Sequence, residues 1–262
     1  MTSQPVGKQT PRELADEIVR SLKIGDHRDL DRKGMRGAVG LMLLAAAALR
    51  RKDRVLVLGV DAQVLHVVAS PVAHGARLAH AARNAVTSMT VACVADARVA
   101  DASITVDVNA SGLAVRSMWG LASRRSVLQS LKLRRYAPRD GIRALSTNRF
   151  YSEYLFLAQA VRFITAADAL ASVPDSTLIL TDFGRHAYAW PWVRAGVRRG
   201  LRTVTMVHGS PNDNYVPVLA DTVLVWGSAQ ERWMHIHSPG TSVIIIGRPD
   251  IERPDKLCTS PG

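Results

Sequence analysis

Apolar and polar positions along this chain alternate between short continuous hydrophobic runs and longer stretches with helical spacing. Residues 11–22 read as a short helix, followed by the polar break KIGDHRDLDRKG, and the Ala- and Leu-rich residues 35–50 read as a second helix ending in basic residues. RVLVLGV (54–60) is apolar without alternation, as in a strand covered on both faces. In 63–84, Val64, Val67, Val68, Val72, Leu78 and Ala82 fall at helical spacing, while Pro71 and Gly75 predict a kink or break. SMTVACVAD (88–96) and ASITVDV (102–108) read as strands, and 151–171 as a helix.

From residue 176 the pattern is regular. STLILTD predicts a strand, and AYAWPWVRAGVRRG a helix closed by Gly200. LRTVTMVHG predicts a strand, with a short helix or loop over 215–219, and DTVLVWG another strand. SAQERWMHIHSPG predicts a helix capped by Ser228 with Glu231 three residues on, and SVIIIG a last strand. Strands alternating with helices predict an α/β fold with a doubly wound, mostly parallel, Rossmann-like sheet. The expected organisation is a helical and polar extension over 1–34, a Rossmann-like domain over 35–250, and a disordered tail or truncated linker over 251–262.

Composition narrows the class. A chain of 262 residues with 47% hydrophobic residues can bury a core without disulfides. Cys93 and Cys258 lie far apart, and Cys93 sits in an apolar run, as a core thiol in a reducing compartment would. The polar N-terminus does not resemble a signal peptide, and the longest apolar run, 38–49, is too short to cross a bilayer, so a cytoplasmic protein is expected. The net charge of +12 favours anionic partners. Aromatic residues, at 5%, are not interleaved with the basic ones, and no helix-turn-helix or zinc-finger pattern is present, so specific nucleic-acid binding is not expected.

Candidate chemistry lies where the strands end, because ligands of an open parallel sheet bind beyond the carboxyl ends. Those ends carry Gly59-Val60-Asp61, Asp182-Phe183-Gly184-Arg185-His186, His208-Gly209-Ser210, Gly227-Ser228 and Gly247-Arg248-Pro249-Asp250. Glycine there permits φ > 0 and close approach to a ligand. His208 has the side chain suited to take a proton near neutral pH, and Asp182 on the adjacent strand end would orient it. The alternatives are a loop histidine bonded to backbone, helix caps for Asp182 and Asp61, a surface position for Arg248, and a core position for Trp226. His235 and His237 diverge on a helix, and Asp29-Leu30-Asp31 lies in a polar break, so no bound metal is expected. No G-x-G-x-x-G, P-loop or G-x-S-x-G motif is present.

Several of these residues recur in a fixed order: Asp182 after a strand, a helix running into AGVRRGLRTVTMVHGSP, then Pro217, Ala220-Asp221, VLVWG and IIIGRP. This set resembles the second half of the N-terminal domain of GT-B-type glycosyltransferases, closest to bacterial capsule, surface-polysaccharide and polyol-phosphate polymer transferases. The resemblance implies one half of a GT-B architecture, acting in surface polysaccharide or glycopolymer biosynthesis. It implies transfer of a sugar or polyol phosphate from a nucleotide-activated donor to a glycan or lipid-linked acceptor. His208, Gly209 and Pro211 match the His-Gly and following proline that mark the catalytic base in the phosphopolyol transferases. Gly59, Asp61, Gly209, Ser210, Gly227 and Arg248 would line the substrate cleft, with no bound cofactor. Only 12 residues follow Asp250, too few for a donor domain, so a second subunit supplying it is an implied partner. A non-catalytic partner module, or a nucleotide-sugar epimerase relative, remains open.

One further stretch stands apart. Residues 116–149 carry nine Lys or Arg and a single acid, Asp140. Leu121, Val127, Leu128 and Leu131 among Arg124, Arg125, Lys132, Arg134 and Arg135 suggest an amphipathic helix lying peripherally on an acidic membrane, or an ordinary solvated helix.

Overall fold

The computed structural model describes residues 10–24, 39–40, 42–43, 46, 63–68, 91–95, 115–117, 123–181, 184, 189–207 and 209–247. They form an α/β structure around a seven-stranded sheet. The strands are β1 (Val64–Val68), β2 (Val91–Ala95), β3 (Val115–Ser117), β4 (Leu178–Thr181), β5 (Arg202–Met206), β6 (Thr222–Val225) and β7 (Ser242–Ile245). The helices are α1 (Pro11–Ile24), α2 (Arg124–Arg134), α3 (Arg139–Arg143), α4 (Arg149–Leu170), α5 (Trp190–Arg199) and α6 (Ser228–His237). The strand order is β3-β2-β1-β4-β5-β6-β7, and every pairing is parallel.

The first half corrects the sequence reading. Val64–Val68 is a strand and not the start of a helix. Its valines fit both periodicities, but β-branched residues lose less in an extended chain, and β1 gains ladder partners on both sides. Val115–Ser117 is also a strand, running into the stretch read as uniformly basic. The expected strands at 54–60 and 102–108 lie outside the described residues. From β4 onward the elements fall where the periodicity puts them.

Register divides the sheet into two faces. Leu65, Val67, Ile179, Thr181, Thr203, Thr205, Val223 and Val225 share one face, and all are buried. Leu65, Val67 and Ile179 join the main core with residues of α1, α2, α4 and α5, whereas Val223 and Val225 pack with Met234 of α6. On the opposite face Leu178, Leu180, Val204 and Leu224 are half-buried. The second helical layer that a doubly wound sheet requires is not among the described residues.

Helix α4 is the centre of the core. Fifteen of its 22 residues are buried, on all sides, as in a helix enclosed by other elements. Asn148 caps it, its Oδ1 accepting from the Tyr151 N–H at 3.2 Å. Helix α1, in the stretch read as an extension, is built into this core through Ala15, Ile18, Val19 and Leu22. Its start is a capping box: Glu13 N–H donates to Thr10 Oγ1 at 3.2 Å, and Thr10 N–H donates to Glu13 Oε2 at 2.7 Å. Arg194 on α5 pairs with Glu17 on α1, and Arg134 on α2 makes a two-pronged pair with Glu153 on α4.

Helix α5 lies directly on β4 and β5 because Gly196 has no side chain. A Cβ there would run into Ile179 Cδ1 and come within 3.2 Å of Thr203 Cγ2. The helix ends at Gly200, with φ 81°, a left-handed cap that glycine adopts without strain. Gly196→Val is expected to destabilise the protein by roughly 2–3 kcal/mol through overpacking. Adding Ile179→Ala, which vacates the contested volume, should leave the double variant more stable than the sum of the two losses. Urea unfolding of the four proteins measures this, and strict additivity would show that the helix–sheet contact is not the cause.

Candidate functional site

The carboxyl ends of β4, β5, β6 and β7 lie side by side, and side chains bind them to one another. Val207 continues the ladder past β5, its N–H donating to the Leu224 carbonyl at 2.9 Å, and Ile246 N–H does the same to Val225 at 2.8 Å. After β4 the chain passes over β5, where Gly184 N–H donates to the buried Thr205 Oγ1 at 2.9 Å. A Cβ at Gly184 would sit 3.2 Å from that hydroxyl, a tight contact that glycine avoids.

Gln230 links the next two ends. Its Oε1 accepts from Trp226 N–H at 2.5 Å, and its Nε2 donates to the Gly209 carbonyl at 2.8 Å. The expected cap at Ser228 is corrected: Gly227 is the N-cap of α6, without a side-chain cap bond, and Ser228 is the first helical residue. Gln230 thus stands three residues after the N-cap, where a Gln or Glu can reach back to an N–H at the helix start. That position was the available signal, obscured by taking Ser228 as the cap.

Beyond β5, residues Asp213–Tyr215 form a 3-10 turn that returns Tyr215 to the small core beside Val207, Val223, Val225 and Met234. A cis Val216–Pro217 bond follows. At the other end of the strands, Asp221 Oδ2 accepts from the N–H and Oγ1 of Thr203, both at 2.9 Å. Asp221, part of the ordered set in the sequence, is therefore a strand-start brace.

Of the predicted site residues, Gly209, Ser210 and Gly227 are described and meet at this edge. Gly209 and Gly227 are half-buried and Ser210 is exposed. A Cβ at Gly209 or Gly227 would meet nothing within 4 Å. Neither has a positive φ; Gly227 is extended at −173°. The backbone conformation therefore does not itself require glycine at either position, and no described residue crowds a Cβ there. Gly247, with φ 77°, does need it. Gly59, Asp61, Asp182, His208 and Arg248 lie outside the described residues. Trp226 is half-buried and not enclosed in the core. On α6, His237 stacks on Trp233 with ring centroids 4.1 Å apart. Among the described residues no three His, Cys, Asp or Glu side chains converge as metal ligands would.

The sequence reading missed His66, in β1, whose register partners are Cys93 on β2 and Leu180 on β4. It is fully buried, and neither ring nitrogen has a hydrogen-bond partner among the described residues. Burial alone pushes its pKa down to about 4. β1 is the strand at which the order of the sheet reverses.

Two predictions follow from this geometry. Gln230→Leu leaves the Trp226 N–H and the Gly209 carbonyl without their partner and should cost about 1–3 kcal/mol. Hydrogen exchange at the Trp226 amide should accelerate well before that of β4, and equal protection in both proteins would remove Gln230 from this role. For His66, the unfolded chain takes up a proton near pH 6.5 while the folded protein stays neutral to about pH 4. Stability should therefore fall as pH drops through that window, by roughly 3 kcal/mol at about 1.4 kcal/mol per pH unit. His66→Leu should be at least as stable at pH 7 and lack this component. Parallel pH profiles of the two proteins would expose the error.

No known family model, curated protein or solved structure matches this chain. Its functional reading therefore rests on the geometry of the sheet edge and the sequence there.

Proposed function

We propose that the chain is the acceptor-side half of a GT-B-like glycosyltransferase, transferring a sugar or polyol phosphate from a nucleotide-activated donor during glycopolymer synthesis. The observation that carries this reading is the strand order β3-β2-β1-β4-β5-β6-β7, all parallel and reversing beside β1. A doubly wound Rossmann-like sheet has that order, and such sheets hold ligands at their carboxyl edge. No described residue crowds a Cβ at Gly209 or Gly227, on ends braced by Gln230, which leaves room for a ligand to approach there.

In this reading His208, next in the chain after Val207, takes the proton from the acceptor hydroxyl as it attacks the activated carbon or phosphorus. Asp182, following β4, orients the imidazole or a sugar hydroxyl. Arginine and backbone N–H groups neutralise the departing nucleotide, a nucleoside diphosphate on sugar transfer or a nucleoside monophosphate on polyol-phosphate transfer, without a bound metal.

A specific observation favours a second reading, a partner module without its own turnover. β7 is an edge strand, and Ile244, Ile245 and Ile246 are 49%, 47% and 43% exposed. An apolar edge that no described strand pairs, ending at Gly247, is the kind of surface that a second domain or subunit covers.

The two readings separate in one assay. The purified chain is given nucleotide sugars and cytidine-diphosphate polyols with glycan acceptors. Acceptor binding without donor is expected of the chain alone, and donor turnover by it alone would overturn the half-enzyme reading; once a donor-binding subunit is supplied, transfer should fall about 10²–10⁴-fold in His208→Ala with the unfolding midpoint unchanged. Transfer that is undiminished in His208→Ala overturns the base assignment. Absence of both acceptor binding and transfer favours the partner module.

A further inference from the structure

Helix α2 is sharply divided around its axis. At 100° per residue, Arg124, Arg125, Leu128, Leu131, Lys132 and the C-cap Arg135 fall within an arc of roughly 120°. All six are exposed, and Ser126, Val127, Ser130 and Leu133 fill the buried side. The amphipathic helix expected from sequence is thereby corrected in one respect: Val127 belongs to the core, and Leu121 lies outside the described residues. The outward arc carries four cations, no acid, and two leucines at 43% and 46% exposure. Tyr136, 52% exposed, extends it past the helix end.

Helix stability alone would not choose this arc. Arg124 and Arg125 occupy the first turn, which has no acidic residue, although the positive end of the helix dipole disfavours cations there. Arg125 lies within electrostatic reach of Asp168 on α4, but no ion pair engages Arg124, Lys132 or Arg135 among the described residues. The buried side is already satisfied, with Val127 and Leu133 in the main core and Arg134 held by Glu153.

We infer that this face of α2 docks on the surface of an anionic lipid bilayer. A phosphodiester chain would answer the cations but offers nothing to two leucines on the same arc. A bilayer surface answers both. Headgroup phosphates meet the guanidinium and ammonium groups, while the leucines enter the acyl boundary and the aliphatic stems of Lys132 and Arg135 lie along it. The helix is 11 residues long and packed on α4 along its other side, so it lies in the interface without crossing. This inference is independent of the transferase reading.

Co-sedimentation of the full chain with phosphatidylcholine vesicles, with and without about one third phosphatidylglycerol, tests it. Binding is expected to the anionic vesicles at low salt, with loss at high salt and none to phosphatidylcholine alone. R124Q/K132Q/R135Q should weaken binding about 100-fold, at roughly fivefold per cation. L128Q/L131Q should weaken it about tenfold at unchanged charge. Circular dichroism checks that the variants fold; should either fail, the lipid and salt dependence of the unaltered chain decides. Equal binding to both vesicle types at low salt, or no binding, overturns the inference. So does L128Q/L131Q binding as the unaltered chain does, or tighter binding to a single-stranded oligonucleotide that L128Q/L131Q leaves unchanged.

Discussion

A hydroxyl buried on the face of a sheet has to find a hydrogen-bond partner, and in this molecule that requirement organises the strand ends. The covered face alternates aliphatic residues with Thr181, Thr203 and Thr205, all buried. An unsatisfied hydroxyl in such a place costs about 1–3 kcal/mol. Thr203 meets the requirement at the start of β5 by closing a ring of bonds with Asp221. Thr205 meets it near the end of β5 by taking the N–H of Gly184. One strand thus fixes the entry of β6 and the exit of β4. Parallel strands have no tight turns to set the spacing of their loops, so these side-chain bonds supply what a hairpin would supply by geometry.

The same logic runs one strand further. Gln230 sits on α6 but serves the ends of β5 and β6, binding a carbonyl of one and an N–H of the other. α6 is held to β6 by Met234 against Val223 and Val225, with Val243 of β7 packed against them. The brace is therefore anchored in a small core, and the uncrowded backbone at Gly209 and Gly227 is backed by packed structure. A site built on such an edge can keep its polar groups in place without crowding the space in front of them.

How much of this was legible in the sequence depended on which force decided each element. From residue 176 onward, propensity, apolar patterning and glycine punctuation agree, and the strands and helices lie where the pattern puts them. In 63–84 they conflict: VLHVV fits a helix by spacing and a strand by composition. The decision came from pairing with β2 and β4, which no local pattern contains. α1 carried its capping box in plain view at Thr10 and Glu13, but its burial depended on α4, a remote partner. At the edge, the rows of glycines were visible and their reason was not. Gly184, in the same row of strand-end glycines but not among the expected substrate-binding residues, is the one pressed against a side chain, while Gly209 and Gly227 are uncrowded. Gln230 was hidden by a one-residue shift in the helix cap.

Charge follows a division that neither composition nor spacing reveals. The basic residues of the chain have separate tasks once folded. Arg134 faces inward to Glu153, with the opposite charge raising its pKa further, and so ties α2 to α4. Arg198 lies over the Phe163 ring at 5.3 Å, where burial lowers its pKa and the ring face compensates the cation. Arg199, beside it, donates to the Val173 carbonyl and to Asp175. These arginines are consumed in holding helices together. Those left on the outer arc of α2 hold nothing within the described structure. The net charge of +12 is thus not a uniform property of the surface. Part of it is structural and internally compensated, and four of the described cations that make no ion pair lie with exposed leucines on one helix face, where they can act on a partner.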